Sequence, residues 1–570
     1  MNREHPHNCS SLLTRATSRL RSLAWPIAGV LIAALVAVPI VVILSSVGAD
    51  SDGVWEHLTQ TVLPDYIKNT ILLACGVSVC TLVVGVATAW TVTMCRFPGH
   101  KFFRWALLLP LAIPTYLTAY AYSDLLQFSG PVQTGLRDTF GWTRQDYWFP
   151  EIRSLSGAIG LLSLGLYPYV YLAARTAFLE QSVCVLEVSR TLGLGPWRCF
   201  LRVALPLARP SLIAGLSLAL METVAEFGAV DYCAVDTFAT GIYRTWMSRG
   251  SLTAAAQLSA CLLGLVGLLI GLEVFARRGA RFHHTTQRYR VLPAWQLRGW
   301  KTLLAVTGCS MTVLLGFCVP TGLFAWMTWQ GGDMRVREMF FELGRNSFLL
   351  AAAASALAAL LAMLVAYGRR LHPTRITRFA ARLSGIGYAI PGGVIAIGIL
   401  IPITWLDHRI NDLTGWLFGM TPGLLLSGTI AAVILGYQTR FLAVSLNLIE
   451  AGLTRIRPSL DDAARTLGAS PGRMLGVVHV PLLRGTILAA VLLVFVDVVK
   501  ELPATLILRP FNFETLAVRV YQLASDERLA EASTGALAII LVGLLPVTLL
   551  SRLLNESRPG TSFSEETLIP

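Results

Sequence analysis

Residues 187–210 read EVSRTLGLGPWRCFLRVALPLARP, and residues 462–485 read DAARTLGASPGRMLGVVHVPLLRG. Aligned without a gap, 275 positions apart, they share Arg190/Arg465, Thr191/Thr466, Leu192/Leu467, Gly193/Gly468, Pro196/Pro471, Arg198/Arg473 and Pro206/Pro481. Each copy is polar, and each lies between long apolar segments. The chain therefore reads as two copies of one membrane unit, each carrying the same polar platform outside the lipid.

Working outward from the loops, the apolar residues come in blocks of roughly 20, the length a helix needs to cross about 30 Å of hydrocarbon. Twelve such blocks are present, near 24–46, 69–92, 104–127, 156–178, 207–231, 253–276, 300–326, 346–368, 381–406, 422–447, 482–507 and 530–553. They are too long and too apolar for membrane β-strands, and helices satisfy their own backbone groups in lipid. The chain is 54% hydrophobic and only 14% charged, with a mean hydropathy of +0.62. Soluble domains carry about 25% charge. The expectation is an all-α membrane protein of about twelve transmembrane helices in two six-helix repeats. An even number per repeat makes the repeats parallel, related by a pseudo-twofold axis along the membrane normal, with the substrate path between the halves.

The net charge of +13 invites a nucleic-acid reading, but the basic residues fall in alternate loops. Arg3, Arg15, Arg19 and Arg21 precede the first block. Arg277, Arg278, Arg281, Arg288, Arg290, Arg298 and Lys301 surround the junction of the halves, and Arg369, Arg370, Arg375, Arg378 and Arg382 form another group. This is the positive-inside pattern. It places both termini, the junction and both repeated loops in the cytoplasm, with a lipid bilayer rather than nucleic acid as the surroundings. The resulting division is a disordered tail at 1–23, a first repeat at 24–278, a basic linker at 279–299, a second repeat at 300–553 and a tail at 554–570. The run from Trp25 to Ile43 is longer than a signal-peptide core and reads as an uncleaved first helix.

None of the ten cysteines forms a C-x-x-C pair and most lie in apolar blocks, so neither a disulfide framework nor a zinc or iron–sulfur site is expected. His283-His284 sits in the basic junction and reads as solvated surface.

Within each repeated loop, Gly193 and Gly468 are C-terminal helix stops. Ser470 is an N-cap and Pro471 fits the first helical position, with Gly195 and Pro196 in those parts in the first copy. Pro206 and Pro481 are expected to end the short helix before the next membrane segment. One basic helix of this kind could simply lie on anionic lipid. Two copies in the same register indicate a docking platform, since lipid contact demands no register.

The halves match elsewhere. Ala112-Ile113-Pro114 returns as Ala389-Ile390-Pro391, the prolines being expected to kink their helices, and Asn69-Thr70 resembles Asn346-Ser347. Glu222 and Glu226 are four apart, which places them on one helix face, about 18–24 Å of rise into their segment. Asp497 and Glu501 occupy the same positions 275 residues later. Carboxylates inside lipid normally face a bundle interior or a watery path. Two readings stand: structural acids paired with Lys500 or backbone groups, or acids lining a translocation path for a hard cation. Tyr167, Tyr169 and Tyr171 line the same path or belong to an interfacial aromatic belt. Arg440 ends an apolar run and reads as snorkelling to the cytoplasmic face.

The repeated loop resembles the EAA motif of the permease subunits of ABC importers, the membrane components fed by a substrate-binding protein. Asp462-Ala463-Ala464 departs from the E-A-A start only in its Asp, and Glu187-Val188-Ser189 departs at both alanines. Gly193, Gly468, Leu205-Pro206 and Val480-Pro481 match. The resemblance covers nearly the whole chain, and fused double permeases of this length are one branch of the family. The chain looks most like bacterial ferric iron permeases in Tyr167-Pro168-Tyr169-Val170-Tyr171, Met221-Glu222-Thr223, Glu226-Phe227-Gly228 and Asp497 to Thr505. The stretches Arg509 to Ala517 and Ser525 to Arg528 also look like that branch. Thiamine, spermidine and phosphonate permeases share the scaffold.

The resemblance implies a type I ABC importer permease fold in the bacterial inner membrane. It implies that Glu187, Arg190, Gly193, Arg198 and Pro206, with Asp462, Ala463, Ala464, Arg465, Gly468, Arg473 and Pro481, seat in two copies of an ATPase subunit. A periplasmic binding protein would meet the outward loops near 128–155, 232–252, 327–345 and 508–529. Iron(III) would touch Glu222, Glu226, Asp497 and Glu501 only in passing, with no stable metal site. No G-x-x-x-x-G-K-[ST] loop is present, so ATP and magnesium would be used by the partner, this chain binding no cofactor and catalysing nothing. A proton-driven carrier fits twelve helices and paired acids, but needs no such docking loops.

Overall fold

The computed structural model describes residues 8–180, 191, 195–277, 295–331 and 337–556. Eleven helices in it are long and apolar enough to cross a membrane, and the bent pair His100–Ala112 and Thr115–Phe140, which turns by 89°, brings the number to twelve when counted as one span. Eleven of the twelve blocks of the sequence are thus matched by single helices of spanning length. The third departs from a simple span for a local reason. Pro114 does not kink a helix but starts one, as N-cap of Thr115–Leu126 with φ −55 and ψ 139. Pro391 does the same for Gly392–Phe418, with identical angles. Each follows a short 3-10 turn. Proline has no N–H to give the preceding turn, so the helix breaks there.

The chain forms two compact units whose boundaries are not those of the sequence repeats. One unit comprises Met1–Gly48 and Arg345–Glu514. Its helix Asn8–Ser45 begins well before residue 24, so the residues from Asn8 onward are helical rather than a disordered tail. That helix packs on Arg375–Ser384 and Gly392–Phe418. Ile32 and Val36 join Ala362, Val365, Leu442, Leu446, Ile449 and Leu483 in one core, and the Trp25 ring meets Tyr367 edge-on at 5.1 Å. The first membrane helix of the sequence therefore completes the core of the later segment.

The other unit comprises Ala49–Gly344 and Thr515–Pro570. Its main seam joins Leu63–Met94 to Leu155–Glu180, with Leu205–Ala225 alongside. Trp90, Tyr167, Tyr171, Phe178 and Phe200 fill it, and Cys309, Val313 and Val547 close it from late helices. The end of the junction segment is held by a two-residue parallel bridge, Cys95 to Trp295 and Arg96 to Gln296.

Three π-helical turns occur among the described residues: Phe200–Ala204, Leu314–Cys318 and Leu475–His479. Each is followed, one residue later, by proline: Pro206, Pro320 and Pro481. Proline's missing N–H and its ring's clash with the carbonyl four residues back are both relieved when the turn widens. The expectation that Pro206 and Pro481 end the short loop helices is corrected accordingly. The helix passes through the wide turn and continues as the membrane spans Trp197–Ala225 and Pro471–Val499.

Candidate functional site

The second repeated loop is built as the sequence suggests up to its wide turn. Helix Pro458–Thr466 stops at Gly468, whose φ of +77 is the left-handed conformation glycine accepts. Ser470 then caps Pro471–Met474 by accepting from the Arg473 N–H. Asp462, Ala463, Arg465, Gly468, Arg473 and Pro481 are exposed, and Ala464 is buried against Tyr367 and Met474. Leu467, not singled out as a contact in the sequence, is 87% exposed on the same tip. In the first copy Arg198 and Trp197 are exposed and Pro206 is half-buried. Glu187, Arg190 and Gly193 lie outside the described residues.

A buried ion cluster that sequence reasoning missed anchors the second loop. Asp461 accepts from Arg370 Nε at 2.8 Å, from Arg370 Nη2 at 3.0 Å and bonds His479 Nε2 at 2.9 Å. Arg370 also donates to the carbonyls of Leu453 and Ile456, which close the preceding membrane helix. Tyr367 donates to the Pro471 carbonyl at 2.7 Å. Burial pushes the Asp461 carboxyl up, but the bonds from Arg370 and His479 outweigh it and hold it below its ordinary value. The loop is therefore clamped to the membrane helix Arg337–Leu371. The first copy has Leu186, Ala204 and Thr93 where the second has Asp461, His479 and Arg370. The only sequence signal was an Asp, an Arg and a His with no equals in the other half.

The intramembrane acids are arranged differently from the expectation of a shared helix face. Helix Leu205–Ala225 carries the half-buried Glu222 and ends before Glu226, which is extended at φ −68 and ψ 128. Helix Val480–Val499 likewise carries Asp497 and stops before Glu501. A short helix then begins in each case, at Gly228–Tyr232 and Pro503–Leu508. Their caps Phe227 and Leu502 have matching angles of φ −114, ψ −54 and φ −113, ψ −58. Glu226 accepts from the Ala229 N–H at 2.9 Å and Glu501 from the Ala504 N–H at 3.2 Å. The acids thus cap the short helices, where a negative charge is favoured.

The two caps are then completed by different chemistry. Thr115 donates to Glu226 Oε2 at 2.5 Å. At the matching position the second repeat has Gly392, and Arg440 Nη1 donates to Glu501 Oε1 at 3.1 Å. Arg440 is buried, not snorkelling to a face, because this carboxylate draws it inward. Asp497 pairs with Lys500 at 2.8 Å. Tyr167 and Tyr171 are closed off from solvent and donate to the carbonyls of Leu107 and Arg104, so they form no interfacial belt. They are crossties between helices.

The sequence matches the family described as binding-protein-dependent transport system inner membrane component, over residues 15–278 and again over 353–558. The chain belongs to this family. It is 25% identical to the Fe(3+)-transport system permease protein FbpB 2 of Haemophilus influenzae, over 87% of this chain and 91% of that one. It is 28% identical to the molybdenum transport system permease protein ModB of Escherichia coli K12, over 37% of this chain and 93% of that one. The sulfate transport system permease protein CysT of the same organism is 28% identical over 32% of this chain and 62% of its own. The protein is therefore a multi-pass inner-membrane permease of the ABC importer type.

Proposed function

We propose that this member of the binding-protein-dependent permease family moves ferric iron across the inner membrane, energised by two copies of a separate ATPase subunit. The observation that carries the machine is the clamped second loop: its backbone is anchored by Asp461 while Leu467, Arg465 and Arg473 stand exposed on one tip. A surface held rigid yet left open suits a protein partner. ATP and magnesium belong to that partner, and the loops and both termini face the cytoplasm. A periplasmic binding protein delivers cargo on the opposite side, where loops such as that of Trp148, 85% exposed, offer aromatic contact surface. Closure of the ATPase pair draws the loops together and opens the path outward, and hydrolysis resets it.

Iron as cargo is supported by the ferric permease relative that spans most of both chains, and by carboxylates at the helix breaks. Carboxylate oxygens suit hard cations. Relatives named for molybdenum and sulfate cover only one repeat's length of this chain. The test is ATP-dependent uptake of radiolabelled iron(III) by proteoliposomes holding this chain, its ATPase and its binding protein. Wild-type uptake that Glu226→Gln abolishes, with ATPase assembly intact, supports the reading. Binding-protein-stimulated hydrolysis without iron uptake would keep the machine and overturn the cargo in favour of thiamine, a polyamine, a phosphonate or an oxyanion. Failure of any ATPase to co-purify would instead favour a proton-driven carrier.

A further inference from the structure

The helix Thr115–Leu126 holds three buried hydroxyls with no hydrogen-bond partner: Thr118 Oγ1, Tyr120 Oη and Ser123 Oγ. Their residues are 1%, 0% and 0% exposed. Burying a hydroxyl without a partner costs about 1–3 kcal/mol, so native structures hold few. Tyr116, Tyr120 and Ser123 recur at helical spacing and share a stripe. The Tyr120 ring lies 5.7 Å from Tyr116 and 4.6 Å from Tyr232. Its hydroxyl is within electrostatic reach of Glu226 and Asp231. The half-buried Glu226 caps the adjoining break, so phenols stand behind a carboxylate that water can reach.

The second repeat shows that the fold does not need these groups. Counting on from Pro114 and Pro391, Tyr116, Thr118, Tyr120 and Ser123 correspond to Gly393, Ile395, Ile397 and Leu400. Asp231 and Tyr232 correspond to Leu506 and Ile507, and the acid kept there, Glu501, is held by Arg440. The same helix break forms with an apolar lining, so the polar lining of the first repeat is not required by the fold.

We propose that Tyr116, Tyr120 and Glu226 form a hard-oxygen site that holds ferric iron in passage, an inference that rests on the iron-importer reading. Phenol and carboxylate oxygens are hard donors. As each iron–oxygen bond forms, the phenol gives its proton to water, and the iron stays ferric throughout. An oxyanion such as molybdate or sulfate would face the Glu226 carboxylate here.

The test is a titration of the purified full chain in detergent with ferric nitrilotriacetate, reading the visible phenolate-to-iron charge-transfer absorption. Wild type should develop the band. Tyr116→Phe/Tyr120→Phe should lose it and weaken iron affinity at least about tenfold, while Tyr437→Phe, whose hydroxyl pairs with Thr505, should keep it. Tyr120→Phe removes only an unpartnered hydroxyl, so its thermal stability should equal or exceed wild type. No band in wild type, or a band unchanged in the double variant, overturns the site. Uptake separates this from the cargo reading: iron uptake without a band discards the site alone, and a band without iron uptake discards the importer's cargo alone.

Discussion

Arg440 and Glu501 meet at 3.1 Å, with 8% and 6% of their side chains exposed, and they meet across the face of Gly392. A Cβ on Gly392 would stand 2.5 Å from both Arg440 Nη1 and Glu501 Oε1. The glycine is the condition for the ion pair, and Thr115 fills the same position where no arginine enters.

Gly392→Ala should therefore destabilise the chain by separating the pair. Arg440→Met removes the arginine from a buried carboxylate and should cost about 3–5 kcal/mol. Adding Glu501→Gln to Arg440→Met should recover a large part of that loss. Thermal unfolding in detergent reads all three, and a double variant no more stable than Arg440→Met would show that the pair is not the stabilising contact.

Asp461 makes the stability of the second loop depend on acid. Its folded value lies below the ordinary 3.8, so its contribution is present above that value and is lost as pH falls through the folded one. Between neutral pH and about pH 3, wild type should lose more stability than Asp461→Asn, which at neutral pH is already weaker by about 1.5–3 kcal/mol. Parallel pH curves for the two proteins would contradict the cluster's role.

Leu467 is 87% exposed at the loop tip, and the proposed docking role makes it a contact for the ATPase. Leu467→Asp should leave unfolding within about 0.5 kcal/mol of wild type and yet abolish co-purification of the ATPase. A variant that still binds the ATPase would move the contact off this tip.

Gly468→Val tests the loop from the backbone side. A β-branched residue at φ +77 is strained by about 1–2 kcal/mol, and the displaced tip should lower transport-coupled ATP hydrolysis. Hydrolysis unchanged from wild type would show that the tip's position is not critical.

The duplicated loop, the eleven helical spans and the family were legible in the amino-acid order. Each depends on near neighbours: lipid forces every span to satisfy its own backbone, so length and hydropathy suffice, and Gly468, Ser470 and Pro471 act within a turn of themselves. The acids were legible as positions but not as geometry. Counting four residues put Glu222 and Glu226 on one helix, because the break after Ala225 contains no proline or glycine before Gly228 to announce it. Arg440 looked like a membrane-edge residue until its partner, 61 residues away, was in place. The clamp of Arg370 on Asp461 spans 91 residues, and the helix Asn8–Ser45 finds its core among residues beyond 345. The sequence by itself determined the spans and the loops, since those energies are local. Only the tertiary structure decided which buried charges met and which hydroxyls were left without partners, because pairing inside lipid is settled by packing between segments that carry no mark of one another.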